Sequence, residues 1–181
     1  MYSDSFSLNA VKIGVVLLWH EFLQVIKCYP TLFEDLNNGC EINEIEQVEK
    51  TMNLSFPSDL RSVYLSNNGQ KGSQDGIFKA VSGYNKYSRP KLLDTKSIVT
   101  VWRTLSEKTY TNVFKASYIP FAADNIESAD DVYCIDSNTG EVFLLWVLIY
   151  DPFNPIEWQI NKFLKASSLK GFLSYQIALY N

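Results

Sequence analysis

Residues 132–150 read VYCIDSNTGEVFLLWVLIY, and this stretch decides the fold class. Val132 to Asp136 alternates weakly between apolar and polar side chains, Asn138-Thr139-Gly140 is a turn signal, and Glu141 to Tyr150 runs on as an apolar return strand. The nine residues from Val142 to Tyr150 fall far short of the ~20 that a membrane helix requires, so they read as a buried strand. An antiparallel hairpin therefore sits in the second half of the chain. Upstream of it, Tyr118 to Phe121 contains Pro120, which lacks a ladder donor and predicts an edge or irregular segment. Downstream, Asp151-Pro152-Phe153-Asn154-Pro155 is a loop. Ile160, Phe163 and Leu164, then Leu169, Phe172, Leu173 and Ile177, predict one or two terminal helices.

The first half carries a different periodicity. Val15, Leu18, Trp19, Phe22, Val25 and Ile26 recur at three- and four-residue spacing and predict an amphipathic helix over 15–27. Asn37-Asn38-Gly39 is a turn or cap, with Glu41 three residues after Asn38 in the manner of a capping box. The helix it starts has Ile42, Ile45, Val48 or Glu49, and Met52 as its inner stripe. Phe56-Pro57-Ser58-Asp59 opens another, with Leu60, Val63 and Tyr64 buried, and Asn67-Asn68-Gly69 closes it through a left-handed residue. Ile77 to Val81 predicts a strand, and Asp94 or Thr95 caps a helix bearing Ile98, Val101, Trp102 and Leu105. Helices at both ends of a hairpin-rich middle define an α+β domain with an antiparallel sheet.

Composition narrows the chemistry. The chain has 181 residues, 46% hydrophobic and 20% charged, with a mean hydropathy of −0.09, which excludes disorder and a membrane bundle. A single histidine, His20, accompanies Cys28, Cys40 and Cys134, which form no CxxC pair. Any triad or zinc centre would have to be built on His20, which falls on or beside the polar side of its helix and is expected to be a solvated surface residue. Three cysteines fit a reducing compartment, and a cytoplasmic location is expected. Asp130, Asp131 and Asp136 could suggest a metal site, but adjacent acids on a strand point to opposite faces. No P-loop, GxGxxG or GxSxG motif is present. No enzymatic activity, cofactor or metal is expected.

The net charge of −4 conceals a segregation of sign. Residues 71–115 carry nine bases against three acids, a net of +6, while residues 116–161 carry eight acids and no base. A further six acids and no base lie between Glu34 and Glu49. Tyr84, Tyr87 and Tyr110 interleave with the basic block as a single-strand platform would require, but the acidic remainder and a pI near 5.0 oppose nucleic-acid binding. An acidic face that steers a basic partner is the functional alternative to mutual cancellation.

Ile42, Ile45, Glu46, Leu54, Phe56-Pro57, Asp59-Leu60, Tyr64 and Asn67-Asn68-Gly69 form an ordered set with Gly76-Ile77-Phe78 and Leu92-Leu93. Ile98-Val99, Trp102, Tyr118-Ile119-Pro120-Phe121-Ala122, Asp136, Gly140 and Val142 complete it. The set resembles the SMI1/KNR4 (SUKH) family over about Cys40 to Tyr175. The chain departs from the family pattern at Ala129-Asp130-Asp131 and at Tyr118, where a Gly-Asp pair and a Trp are usual. Residues 1–38 are read as an N-terminal helical extension and 39–181 as the SUKH-like domain. The resemblance implies a SUKH-like antiparallel sheet flanked by N-terminal and C-terminal helices. It implies a cytoplasmic immunity protein that binds a cognate polymorphic toxin and occludes its active site, a basic nuclease being the case the charge fits; the oligomeric state stays open, with a monomer favoured. The alternative it implies is a regulatory interaction scaffold of the kind that controls cell-wall synthesis. Neither reading involves nucleic acid or a membrane. Expected partner-binding residues are the aromatics Tyr84, Tyr87, Tyr110, Phe153 and Trp158, which fall in loops or at element starts, with the acids Asp124, Glu127, Asp130 and Asp131.

Overall fold

The computed structural model describes residues 4–72, 75–79, 89–107, 113–129, 131–148 and 159–181. Four helices come first: α1 (Asp4–Ile26), α2 (Pro30–Glu34), α3 (Ile42–Met52) and α4 (Ser58–Ser66). Then follow β1 (Lys91–Leu92), α5 (Thr95–Glu107), β2 (Tyr118–Ala123), β3 (Val132–Asp136), β4 (Val142–Leu148), β5 (Gln159–Ala166) and α6 (Leu169–Tyr180). The sheet is antiparallel throughout, in the order β1-β2-β3-β4-β5. This is the expected α+β architecture. No helix among the described residues is long and apolar enough to cross a membrane.

The hairpin forms where the sequence places it. Val132 pairs with Leu145 and Ile135 with Val142, and the turn closes through Asp136 N–H to Glu141 O (2.9 Å) and Gly140 N–H to Asp136 O (2.8 Å). Gly140 takes φ +77°, a conformation that costs glycine nothing. One strand expectation is narrowed and another corrected. The Pro120 segment is irregular rather than an edge: β2 lies between β1 and β3. Proline is tolerated because β1 reaches only Ala122 and Ala123, leaving β2 flanked on one side at Pro120, and because the register with β3 shifts between Pro120 and Ala122. Residues 159–166, expected as helix, are strand β5, paired to β4 from Val142↔Ala166 to Leu148↔Gln159. Over eight residues the spacing of Ile160, Phe163 and Leu164 suits either period, and the long open edge of β4 decides between them.

Ile77 and Phe78 are buried but form no regular strand, and Val81 lies outside the described residues. Two buried glutamines supplement two backbone bonds, Gly76 N–H to Arg89 O (2.9 Å) and Phe78 N–H to Pro90 O (3.2 Å). Gln70 Oε1 accepts from Ile77 N–H (3.0 Å) and Leu92 N–H (3.1 Å), and its amide donates to Asp35 Oδ2 and the Asp75 carbonyl. Gln176, fully buried on α6, accepts from Lys79 N–H (2.9 Å) and donates to Lys79 O (3.1 Å). Buried amides are stable only when satisfied in this way.

The α3–α4 hairpin is also locally specified. The capping box exists one step later than the sequence suggests: Glu41 is the cap and Glu44 its reciprocal partner, rather than Asn38 with Glu41. Ile45, Val48, Glu49 and Met52 are buried, whereas Ile42, expected in that stripe, is 49% exposed. Glu49 receives Phe56 N–H and forms an ion pair with Arg61 of α4. Asn67 is extended rather than left-handed; the positive φ (+78°) comes at Gly69, where a Cβ would lie 2.4 Å from Asp94 N. The Asn67-Asn68-Gly69 triplet is thus a clamp more than a helix stop. Asn67 Oδ1 accepts from Trp19 Nε1 (3.0 Å) on α1, and Asn68 Oδ1 accepts from Thr95 N–H (2.9 Å) at the start of α5.

Helix α1 begins eleven residues before the expected Val15 and buries Val15, Trp19, Phe22, Leu23 and Ile26 in the same cluster as the sheet. The Phe22 ring stacks on Phe78 at 5.6 Å between centroids and meets Tyr180 of α6 edge-on at 6.0 Å. Burial pushes the Tyr180 hydroxyl up to about 12, and it donates to Ile77 O at 2.9 Å. Two outcomes are expected in urea unfolding. Phe22→Ala should cost about 3–5 kcal/mol in a single cooperative transition, because the ring is fully enclosed; an unchanged midpoint would mean that α1 folds apart from the sheet. Glu49→Ala should cost about 2 kcal/mol by stranding a buried N–H and the Arg61 guanidinium.

Candidate protein-binding surface

The described acids divide into two classes. Asp35, Glu49, Asp131 and Asp136 are buried. Asp35 Oδ2 accepts from Gly72 N–H as well as Gln70, and Asp136 Oδ1 accepts from Asn138 N–H (3.0 Å) inside the hairpin turn. These carboxylates hold loops in place. Glu21, Glu34, Glu41, Glu44, Glu46, Asp75, Glu107, Asp124 and Glu127 are exposed and contribute an external field, with Asp59, Asp94 and Glu141 between the two classes.

Asp124 and Glu127 occupy the connection from β2 to β3. Its shape is set by Asn125, whose side-chain oxygen accepts from Glu127 N–H (2.9 Å) and Ser128 N–H (3.1 Å). Ala129 (φ +53°) then turns the chain inward, so that Asp131 (φ +45°) is only 3% exposed. This removes Asp131 from the solvent-facing set expected from sequence. Its negative charge acts instead on Lys165 of β5, favouring the protonated amine against the larger effect of burial, which lowers the Lys165 pKa. Backbone geometry, rather than residue type, made the difference. Tyr84, Tyr87, Tyr110, Asp130, Phe153 and Trp158 lie outside the described residues.

Nucleophilic and metal chemistry find little support among the described side chains. His20 is exposed on α1. Burial pushes the Cys40 thiol up, with Glu44 adding to the effect, and pushes the fully enclosed Cys134 thiol well above its ordinary value. Both are held as thiols, the weakly nucleophilic form. No group of three or more metal-ligating residues converges among the described residues. The surface grooves among the described residues include two that border α5. One, of about 390 Å³, runs between α3 and α5 past Val48, Val99 and Arg103. The other, of about 610 Å³, lies where Met52, Leu54 and Trp102 face Ser117 and Asn138.

Sequence reasoning missed a set of exposed apolar side chains: Ile42 (49%), Leu65 (46%), Phe163 (40%) and Leu164 (62%). For Ile42 a signal existed. An α-helix turns about 100° per residue, so Ile45, Val48, Glu49 and Met52 define an arc with Ile42 at its margin. For Phe163 and Leu164 the pattern was ambiguous once their helix proved to be an edge strand. On that strand Lys162 Nζ lies 4.1 Å from the Phe143 ring centre and donates to Tyr118 Oη at 2.8 Å, while Lys165 lies over Phe163. These lysines and rings are engaged with one another across the sheet.

Comparison with curated proteins finds no match. The model of the SMI1 / KNR4 family (SUKH-1) matches residues 39–175, from the strap before α3 into α6, covering all five strands. Helix α1 precedes the matched region while contributing to its core. With the match spanning most of the sequence and the α+β fold agreeing with it, the chain belongs to the SMI1/KNR4 (SUKH-1) family.

Proposed function

We propose that this chain is a protein-binding module that acts as an immunity protein, neutralising a cognate toxin in the cytoplasm by covering its active site. The family match over residues 39–175 carries this reading, since the SMI1/KNR4 resemblance implies interaction domains of immunity or regulatory type. Charge supports a basic target. Asp124 and Glu127 stand exposed on a loop held by Asn125, in a segment without a single base from Ala116 to Asn161. An acidic surface accelerates encounter with a basic nuclease more than it adds to final affinity. Tyr84, Tyr87, Phe153 and Trp158 are the proposed aromatic anchors, and Asp130 a further acid of the same loop. The regulatory scaffold is the competing reading, and it predicts no rescue from a toxin.

The test is co-expression with the toxin candidate encoded beside this gene, scoring growth and isolation of a stoichiometric complex. Rescue with a complex is expected; neither would remove the immunity reading. Within such a complex, Asp124→Asn with Glu127→Gln should slow association several-fold at low salt and converge with the parent protein near 0.5 M salt, where screening is about a few ångströms. An association rate and salt slope identical to those of the parent would eliminate steering by this loop.

A further inference from the structure

The seam between α3 and α4 is pinned at both ends. At one end Glu49 of α3 pairs with Arg61 of α4. At the other, Cys40 N–H donates to Tyr64 O at 3.0 Å, and Gly39 packs so closely that a Cβ there would lie 1.9 Å from Leu65 O. Ile42 lies two helical turns before Glu49, and Leu65 lies one turn after Arg61, so each projects from the same flank as its helix's member of the ion pair. The two pins thus set Ile42 and Leu65 along one edge of the hairpin. Both side chains remain about half exposed.

Ile42 sits in an acidic stretch of the chain. Glu41 and Glu46 flank Ile42, with Glu44 on the same helix, and no base occurs between Glu34 and Glu49. Arg61, the nearby cation on α4, is already neutralised by Glu49, and Glu46 has no ion-pair partner among the described residues. This contrasts with Phe163 and Leu164, whose neighbouring lysines are occupied by aromatic rings of the sheet. Apolar side chains at the centre of a patch with unneutralised charge at its rim match the anatomy of protein interfaces.

We infer that the Ile42–Leu65 edge of the α3–α4 hairpin is a docking surface for a basic protein partner, one that presents an apolar side chain flanked by lysine or arginine. The inference rests on the toxin-binding reading for the partner's identity, and it adds a contact on the helical hairpin to the steering acids of the Asp124–Glu127 loop. The cations meet Glu41 and Glu46, and the apolar group packs against the exposed side chains of Ile42 and Leu65.

Two measurements decide it. The first needs no toxin: a synthetic amphipathic peptide of leucine and lysine is titrated into the full chain while methyl NMR signals are followed. Displacement should concentrate on Ile42 and Leu65, and Ile42→Ser with Leu65→Ser should weaken binding about tenfold or more. Shifts centred elsewhere, spread evenly, or absent overturn the inference. Glu46→Lys, which leaves the capping box intact, should reduce association several-fold at low salt. The second is the growth assay with the toxin candidate. Rescue by the parent protein but not by the double serine variant supports the surface, provided both variants melt at the parent temperature. Equal rescue by both refutes it. If the parent itself gives no rescue, the immunity reading fails, and the peptide mapping alone decides the surface.

Discussion

The ring of Phe78 is the contact on which the rest of the structure depends. It stacks on Phe22 of α1, and it meets Phe121 of β2, Tyr133 of β3 and Phe172 of α6 at centroid distances between 5.4 and 6.4 Å. Two terminal helices and the centre of the sheet therefore share one side chain, borne by a segment with no regular secondary structure. That position is held by polar atoms on either side: Gln70 receives Ile77 N–H and Gln176 brackets Lys79. An apolar ring in the middle of the core, fixed by fully satisfied amides around it, gives a packing arrangement that tolerates little displacement. It also explains why α1 is structurally part of the domain although the family match begins at residue 39.

The same economy governs the acids. Buried carboxylates at Asp35, Glu49 and Asp136 terminate loops by accepting backbone donors, work that a neutral side chain of similar size does less strongly. The exposed acids include Glu44 and Glu46 of α3 and Asp124 and Glu127 of the β2–β3 connection. Segregation of sign along the chain therefore has two consequences, one internal and one external. Net charge alone conveys neither, because a field at the surface depends on which carboxylates reach solvent.

Much of this was legible in the residues. The hairpin at Asn138-Thr139-Gly140, the buried stripe of α4, and the helix carrying Ile98, Val101 and Leu105 follow from turn chemistry and a sustained period. The ordered motifs from Ile42 to Val142 were sufficient to indicate the family. What sequence could not supply was decided by partners distant in the chain. Residues 159–166 became a strand because β4 offered an open edge, and Pro120 entered the sheet because β1 stops two residues beyond it.

The candidate surface shows the same division. That residues 34–49 are acidic and residues 116–161 lack bases is a property of the sequence alone. Which of those charges face a partner was decided by tertiary structure. A left-handed turn at Ala129 and Asp131 withdraws one carboxylate into the interior. Composition and local spacing are fixed by covalent order. Exposure is set by long-range packing, which depends on hydrogen bonds and contacts between residues tens of positions apart.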